Sequence, residues 1–265
     1  MKVFEIIDES PELLIGALLY YEKEKSFIIE LCEGLDEWNA PLLLTSYVKK
    51  GIFTIPKDIS LLWVHERLIP TGRQNISSIL STHRLKEYDE MKMLEISEGR
   101  CSQDNYHIRK TDILPAFVEK RSHRNLKDLV VLNNNRLLCI FADETMKLVD
   151  LAKCPPERDI TKIMRNSLLF ESGKVGCGGY SATFNDSIDI PAHVLYKHGK
   201  TLPISFKELL TFSRKNLLDT AACCEELQCS RQNLAYLKEQ HLITPIQENV
   251  KGSLYLKGDV LKNKW

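Results

Sequence analysis

Residues 213–265 constrain this chain most tightly. Asp219 or Thr220 can cap a helix over Ala221 to Leu227, one side of which is small and apolar through Ala221, Ala222, Cys224 and Leu227. Gln228-Cys229 makes a turn, and Ser230 caps a second helix, Arg231 to Gln240, whose Leu234 and Leu237 point inward. His241 to Ile246 is expected to exit as a strand, Gln247 to Ser253 to form a polar loop, and Leu254-Tyr255-Leu256 to return as a strand. A last short helix is expected from Lys257-Gly258-Asp259. Two short helices joined by a tight turn have helix-turn-helix geometry, and the two strands with a polar tip form a wing.

The run Leu227-x-Cys229-Ser230-Arg231-Gln232-Asn233-Leu234-x-Tyr236, followed by Leu242-Ile243-Thr244-Pro245-Ile246, resembles the winged helix of MerR-type regulators and phage excisionases. Leu254-Tyr255-Leu256-Lys257-x-Asp259-Val260 is similar to the wing strand and following helix of the excisionase-like members. The resemblance implies double-stranded DNA as partner, with the start of the second helix in the major groove. Ser230, Arg231, Gln232 and Asn233 are then presented together. Arginine can read guanine O6 and N7, and glutamine or asparagine can read adenine N6 and N7. The Ser230 hydroxyl and the free N–H groups of the helix start suit a phosphate. Tyr236 and Lys238 would add backbone contacts, Lys251 would reach the neighbouring groove from the wing, and Lys257 would meet a phosphate. Without its flanking pattern, Ser-Arg-Gln-Asn would be read as a solvated helix start. MerR regulators continue past the winged helix into a long dimerisation helix, whereas the sequence given stops at Trp265. Dimerisation and sensing are therefore expected from the upstream segments.

Charge sets the scale of this expectation. Lys plus Arg and Asp plus Glu both number 36, which argues against a polybasic protein but leaves room for a local basic patch. Residues 1–110 carry 14 basic and 18 acidic side chains, residues 111–212 carry 14 and 12, and residues 213–265 carry 8 and 6. So weak a basic bias predicts modest affinity per monomer, and hence a homodimer or a helper surface for specific binding. A chain that is 43% hydrophobic and 27% charged can build a real core. Its eight cysteines include no CxxC pair, so free thiols in a reducing cytoplasm are expected and no metal or other cofactor. The start, Met1 to Glu9, lacks a signal peptide pattern, and the longest apolar run, Leu13 to Tyr21, is far short of a membrane span. The expected location is cytoplasmic, with no membrane partner.

The upstream chain reads as two further α+β segments. In residues 1–115, Leu14 to Tyr21 and Phe27 to Cys32 form a hairpin around Glu22-Lys23-Glu24-Lys25. Asp36 is expected to cap a helix running to Lys50, and further helices are expected from Asp58 or Ser60, around Ile76, and around Met91. Residues 111–128 read as a linker with a short helix from Ala116. Residues 129–210 read as hairpin, helix, hairpin, helix. The hairpins turn at Ala142-Asp143-Glu144 and Asn185-Asp186-Ser187, and one helix spans about Ile160 to Phe170. The layout Phe141-Ala142-Asp143, Ile188-Asp189-Ile190 and Val194-Leu195-Tyr196-Lys197-His198-Gly199 resembles a small bacterial domain family of unknown function. Its members occur alone or fused to helix-turn-helix domains, and it implies no catalytic activity.

Other constellations carry less. Gly72-Arg73-Gln74-Asn75-Ile76 echoes Ser230 to Leu234, but polar helix starts coincide easily. Gly176-Cys177-Gly178-Gly179-Tyr180 lacks the lysine-serine pair of a phosphate loop and reads as a close backbone approach. Cys223, Cys224 and Cys229 read as core packing. The fold expected is α+β and multidomain: a mixed N-terminal α/β domain (1–115), a small hairpin-helix-hairpin-helix domain (129–210) and a winged helix-turn-helix (213–265). The function expected is sequence-specific DNA binding by a bacterial-type transcriptional regulator, not an enzyme. One alternative is an antitoxin-like protein that binds a partner protein through its upstream domains and regulates its own gene. The other is an enzyme in residues 1–115 targeted to DNA by the tail; a polar pocket with convergent charges there would favour it.

Overall fold

The computed structural model describes residues 1–10, 12–250, 252–256 and 260. The protein is a mixed α+β chain built on antiparallel sheets. It divides into two compact units, one of residues 1–143 with 147–200 and the other of residues 144–146 with 201–265.

The first unit begins with a five-stranded sheet. Its strands are β1 (Lys2–Glu9), β2 (Glu12–Tyr21), β3 (Ser26–Leu31), β4 (Thr54–Ile55) and β5 (Tyr106–Thr111), in the order β4-β3-β2-β1-β5. The β2–β3 hairpin follows the sequence expectation; β1 and β5 add two strands that were not expected, β1 pairing with both β2 and β5. Side chains alternate between the faces of a strand. Here both faces are covered over Ile15 to Tyr20, which explains why that stretch is apolar almost without interruption. One face carries Phe4, Ile6, Leu18, Tyr20, Phe27 and Ile29 against α1 (Thr45–Lys49), α2 (Lys57–His65) and α4 (Glu90–Ser97). A third helix, α3 (Ile76–Thr82), lies between α2 and α4 in the chain and buries no residue. The other face carries Val3, Ala17, Leu19 and Ile28 against Val118 of α5 (Ala116–Ser122).

Two expectations need correction here. No helix runs from Asp36 to Lys50. Asp36 Oδ1 instead accepts from the backbone N of Trp38 and of Asn39, both at 2.9 Å, closing a turn, and Pro41 defers helix formation to Leu42 and beyond. Residues 111–128 are not a linker either, because α5 buries Val118 completely against the sheet.

The rest of this unit follows the hairpin-helix-hairpin-helix reading closely. β6 (Leu126–Leu132) and β7 (Arg136–Phe141) turn through Asn134 and Asn135, both with positive φ, the conformation that matches the strand twist. β8 (Met146–Asp150) follows, and then two helices, α6 (Arg158–Met164) and α7 (Ser167–Glu171), where one was expected. Asn166 causes the break by leaving the helix and accepting from Leu169 N at 3.1 Å. β9 (Lys174–Val175), β10 (Ser181–Phe184) and β11 (Ile188–Pro191) form a three-stranded sheet, and α8 (Ala192–His198) closes the segment. Phe141, Phe170, Phe184 and Leu195 fill the core between them. The glycine run is a close approach, as expected. A Cβ on Gly179, at φ +75, would lie 2.2 Å from Leu126 O.

Glu30 lies on the second face of the sheet, opposite Ala17, and its side chain has no exposed surface. Its Oε2 accepts from Thr54 Oγ1 at 2.9 Å and pairs with Arg121 Nε at 3.1 Å. Burial pushes its carboxyl up to about 7, against the pull of Arg121, Thr54 and Tyr180. A carboxyl raised in the folded state holds a proton that the unfolded chain has already lost. Its effect is therefore to lower stability as pH rises from about 4.5 to about 7, with no further loss above. Glu30→Gln should remove this slope. In denaturant titrations at about pH 5 and about pH 7.5, the native protein should lose on the order of 1–3 kcal/mol more than the variant. Equal losses would contradict the assignment.

Candidate nucleic-acid interface

The second unit contains β12 residue Thr201, α9 (Phe206–Asn216), β13 (Leu217–Leu218), α10 (Thr220–Leu227), α11 (Arg231–Glu239), β14 (Gln247–Val250) and β15 (Gly252–Leu256). β12 is the short strand Lys200–Thr201. Three local devices set the path of the chain through α9, α10 and α11. Ser205 and Glu208 form a reciprocal capping box at the start of α9. Asp219 caps α10, its carboxylate accepting from Ala222 N at 2.8 Å. Ser230 caps α11, its hydroxyl accepting from Asn233 N at 3.2 Å. Between α10 and α11, Gln228 takes the left-handed conformation at φ 54 and ends the first helix sharply. Both helices match the sequence reading to within a residue.

Seven buried side chains hold this arrangement: Cys223 and Leu227 from α10, Leu234 and Leu237 from α11, then Ile243, Tyr255 and Val260. Cys224 and Cys229 pack against the same cluster, so the three cysteines serve as core. Burial, and secondarily the neighbouring Cys224, pushes the Cys223 thiol up to about 12. It therefore stays protonated and unreactive at neutral pH.

The strands differ from expectation in two respects: the first expected strand is absent, and the stretch from Gln247 expected as a polar loop holds β14 and the start of β15. His241 to Ile246 is irregular, and β14 starts only at Gln247. Pro245 lacks the N–H that a ladder needs, which keeps that stretch out of the sheet. The sheet order is β13-β15-β14, with Leu218 opposite Tyr255 and Gln247 opposite Leu254. Ser253 N donates to Thr220 Oγ1 at 3.4 Å, which ties the β15 strand to the first turn of α10.

Leu234 and Leu237 face the core, so the opposite side of α11 faces outward. Arg231, Gln232 and Tyr236 are exposed and Asn233 is half-buried, so Ser230 through Asn233 form one surface at the start of the helix. Arg231 makes no ion pair among the described residues. Lys238 is half-buried one turn beyond Asn233. Lys251 and Lys257 lie outside the described residues. Sequence reasoning passed over Arg214 and Lys215, exposed in the last turn of α9 in the same unit. Their signal is a basic pair directly before a strand, and the helix dipole alone is enough to favour it there.

No family model matches the chain, and neither a curated protein nor a solved structure is significantly similar to it.

The packing predicts a sharp contrast within α11. Leu234→Ala should lower the stability of this unit by about 2–5 kcal/mol. Tyr236→Ala, two residues on and 56% exposed, should change it by less than about 0.5 kcal/mol. Chemical denaturation followed by tail-specific amide exchange measures both. Comparable losses would mean that α11 is rotated from the orientation described.

Proposed function

We propose that this protein binds double-stranded DNA in a sequence-specific manner through a C-terminal winged helix-turn-helix, and acts as a cytoplasmic transcriptional regulator of bacterial type. One observation carries the reading: the N-terminal end of α11 exposes Ser230, Arg231 and Gln232, with Asn233 half-buried beside them, while Leu234 and Leu237 hold the helix to the core. The order of helix, sharp turn, capped helix and antiparallel strand pair supports it. So does the resemblance of the same residues to MerR-type and excisionase-like tails.

In this reading α11 enters the major groove. Arg231 addresses guanine and Gln232 and Asn233 address adenine, since the donor and acceptor patterns of those side chains match those base edges. Ser230, Tyr236, Lys238 and Lys257 contact the backbone and set register, and Lys251 at the wing tip approaches the adjacent groove. Two copies of the chain on paired half-sites would offset the weak basic bias of a single tail. Among the described residues no helix is long and apolar enough to cross a membrane.

Binding-site selection from a randomised duplex pool tests the reading. The intact protein should enrich a motif, and Arg231→Ala should flatten one guanine position by about 1–3 kcal/mol of discrimination. Lys251→Ala should weaken binding to all sequences alike and reduce the salt slope by about one. Enrichment of no motif, or an unchanged motif in Arg231→Ala, would overturn the assignment of α11 as the reading helix.

A further inference from the structure

The first unit holds a cavity of about 270 Å³ between the Gly51–Thr54 stretch before α2, the end of α5 and the start of α8. Its wall combines Lys120, Arg121 and Arg124 with a single carboxylate, Glu33. Lys120 and Arg124 make no ion pair among the described residues. Arg124 rests 5.8 Å from the centre of the Tyr196 ring, a cation–π contact that leaves its net positive charge in place.

Arg121 is held from behind. Its Nε meets Glu30 Oε2 at 3.1 Å and Phe117 O at 3.3 Å, and its Nη2 donates to Leu31 O. Nη1 is buried and has no hydrogen-bond partner among the described residues. A buried donor left unmade costs about 1–3 kcal/mol, and more on a charged group. A guanidinium fixed in one orientation by Glu30, Phe117 O and Leu31 O keeps its positive charge at the cavity wall, where it favours an oxyanion. His193 lines the same cavity, and its ring is held below its ordinary pKa first by burial and then by Arg124 and Lys197. Ile52 and Phe53 add an apolar wall that could seat a carbon skeleton.

We propose that this cavity binds a small organic oxyanion, a carboxylate or a phosphate ester, whose acidic group is received by Lys120, Arg121 and Arg124 and whose body lies against Ile52 and Phe53. The volume suits a ligand smaller than most drug-sized molecules. The same cavity is what an enzyme reading of this part of the chain would require. Among the described residues its lining holds no nucleophile and base at hydrogen-bond distance, so the geometry supports binding. The proposal is independent of DNA recognition, and either can fail without the other.

Calorimetric titration of the full chain with inorganic phosphate and, separately, citrate tests it, at constant ionic strength set by chloride. At least one anion should bind saturably. The double variant Lys120→Ala, Arg124→Ala should lose at least about tenfold in affinity, because each charge-assisted hydrogen bond contributes about 1.5–3 kcal/mol. Lys162→Ala, exposed on α6 and away from the cavity, should bind like the native chain. Both substituted cations are exposed, and an unchanged melting curve in the absence of anion establishes that the fold is intact. Saturation by phosphate alone assigns the phosphate class, and saturation by citrate alone assigns the carboxylate class. Saturable binding by neither, or equal affinity in native and double-variant proteins, would overturn the proposal.

Discussion

The ion pair between Glu30 and Arg121 joins segments that the sequence keeps 91 residues apart. Glu30 sits in the middle of a strand whose other residues are all buried. A bare carboxylate in such a place would carry a large desolvation cost. That cost is reduced, though not cancelled, because α5 lies across the second face of the sheet, where Arg121 reaches Glu30 and Val118 joins Val3, Leu19 and Ile28. The position of α5 in turn places the chain for β6, whose Leu126 carbonyl runs so close to Gly179 that no side chain fits there. One buried charge pair thus fixes how the N-terminal sheet meets the hairpins that follow it. It also holds the Arg121 side chain at the wall of the cavity.

The second unit works on a different principle. It has no buried charge pair among the described residues and a core of only seven side chains. Its precision comes from its caps. Asp219 and Ser230 each fix a helix start through a backbone N–H, and the left-handed Gln228 sets the turn between them. A small core with strong caps holds a short helix stiffly while leaving most of its surface free. A reading helix needs that combination, because base discrimination depends on side chains presented from a fixed backbone.

What the sequence made legible follows from how local each signal is. The two helices of the tail could be read because a cap, a turn residue and Leu234 and Leu237 at helical spacing all lie within a few positions. The Asn185-Asp186 turn was equally plain, since a positive φ selects those residues. β1 and β5 were not legible. Each is mixed in polarity; β1 pairs with the neighbouring β2 as well, but β5 becomes a strand only by pairing with β1 across about a hundred residues. The break at Asn166 was hidden because a capping side chain can interrupt a helix without glycine or proline. The exposed surface at Ser230 to Asn233 could be anticipated residue by residue. The cavity could not, since its lining runs from Glu33 to His193 and no local spacing connects them.

The central claim is that α11 reads duplex DNA. Footprinting of the intact protein across a bacterial genome tests it most directly, repeated at about 50 mM and about 200 mM salt. The account predicts discrete protected sites that share a motif, weaken steeply at the higher salt, and fall as paired half-sites about one helical turn apart if two copies bind together. Uniform, sequence-independent protection, or no salt-sensitive protection at all, would contradict it.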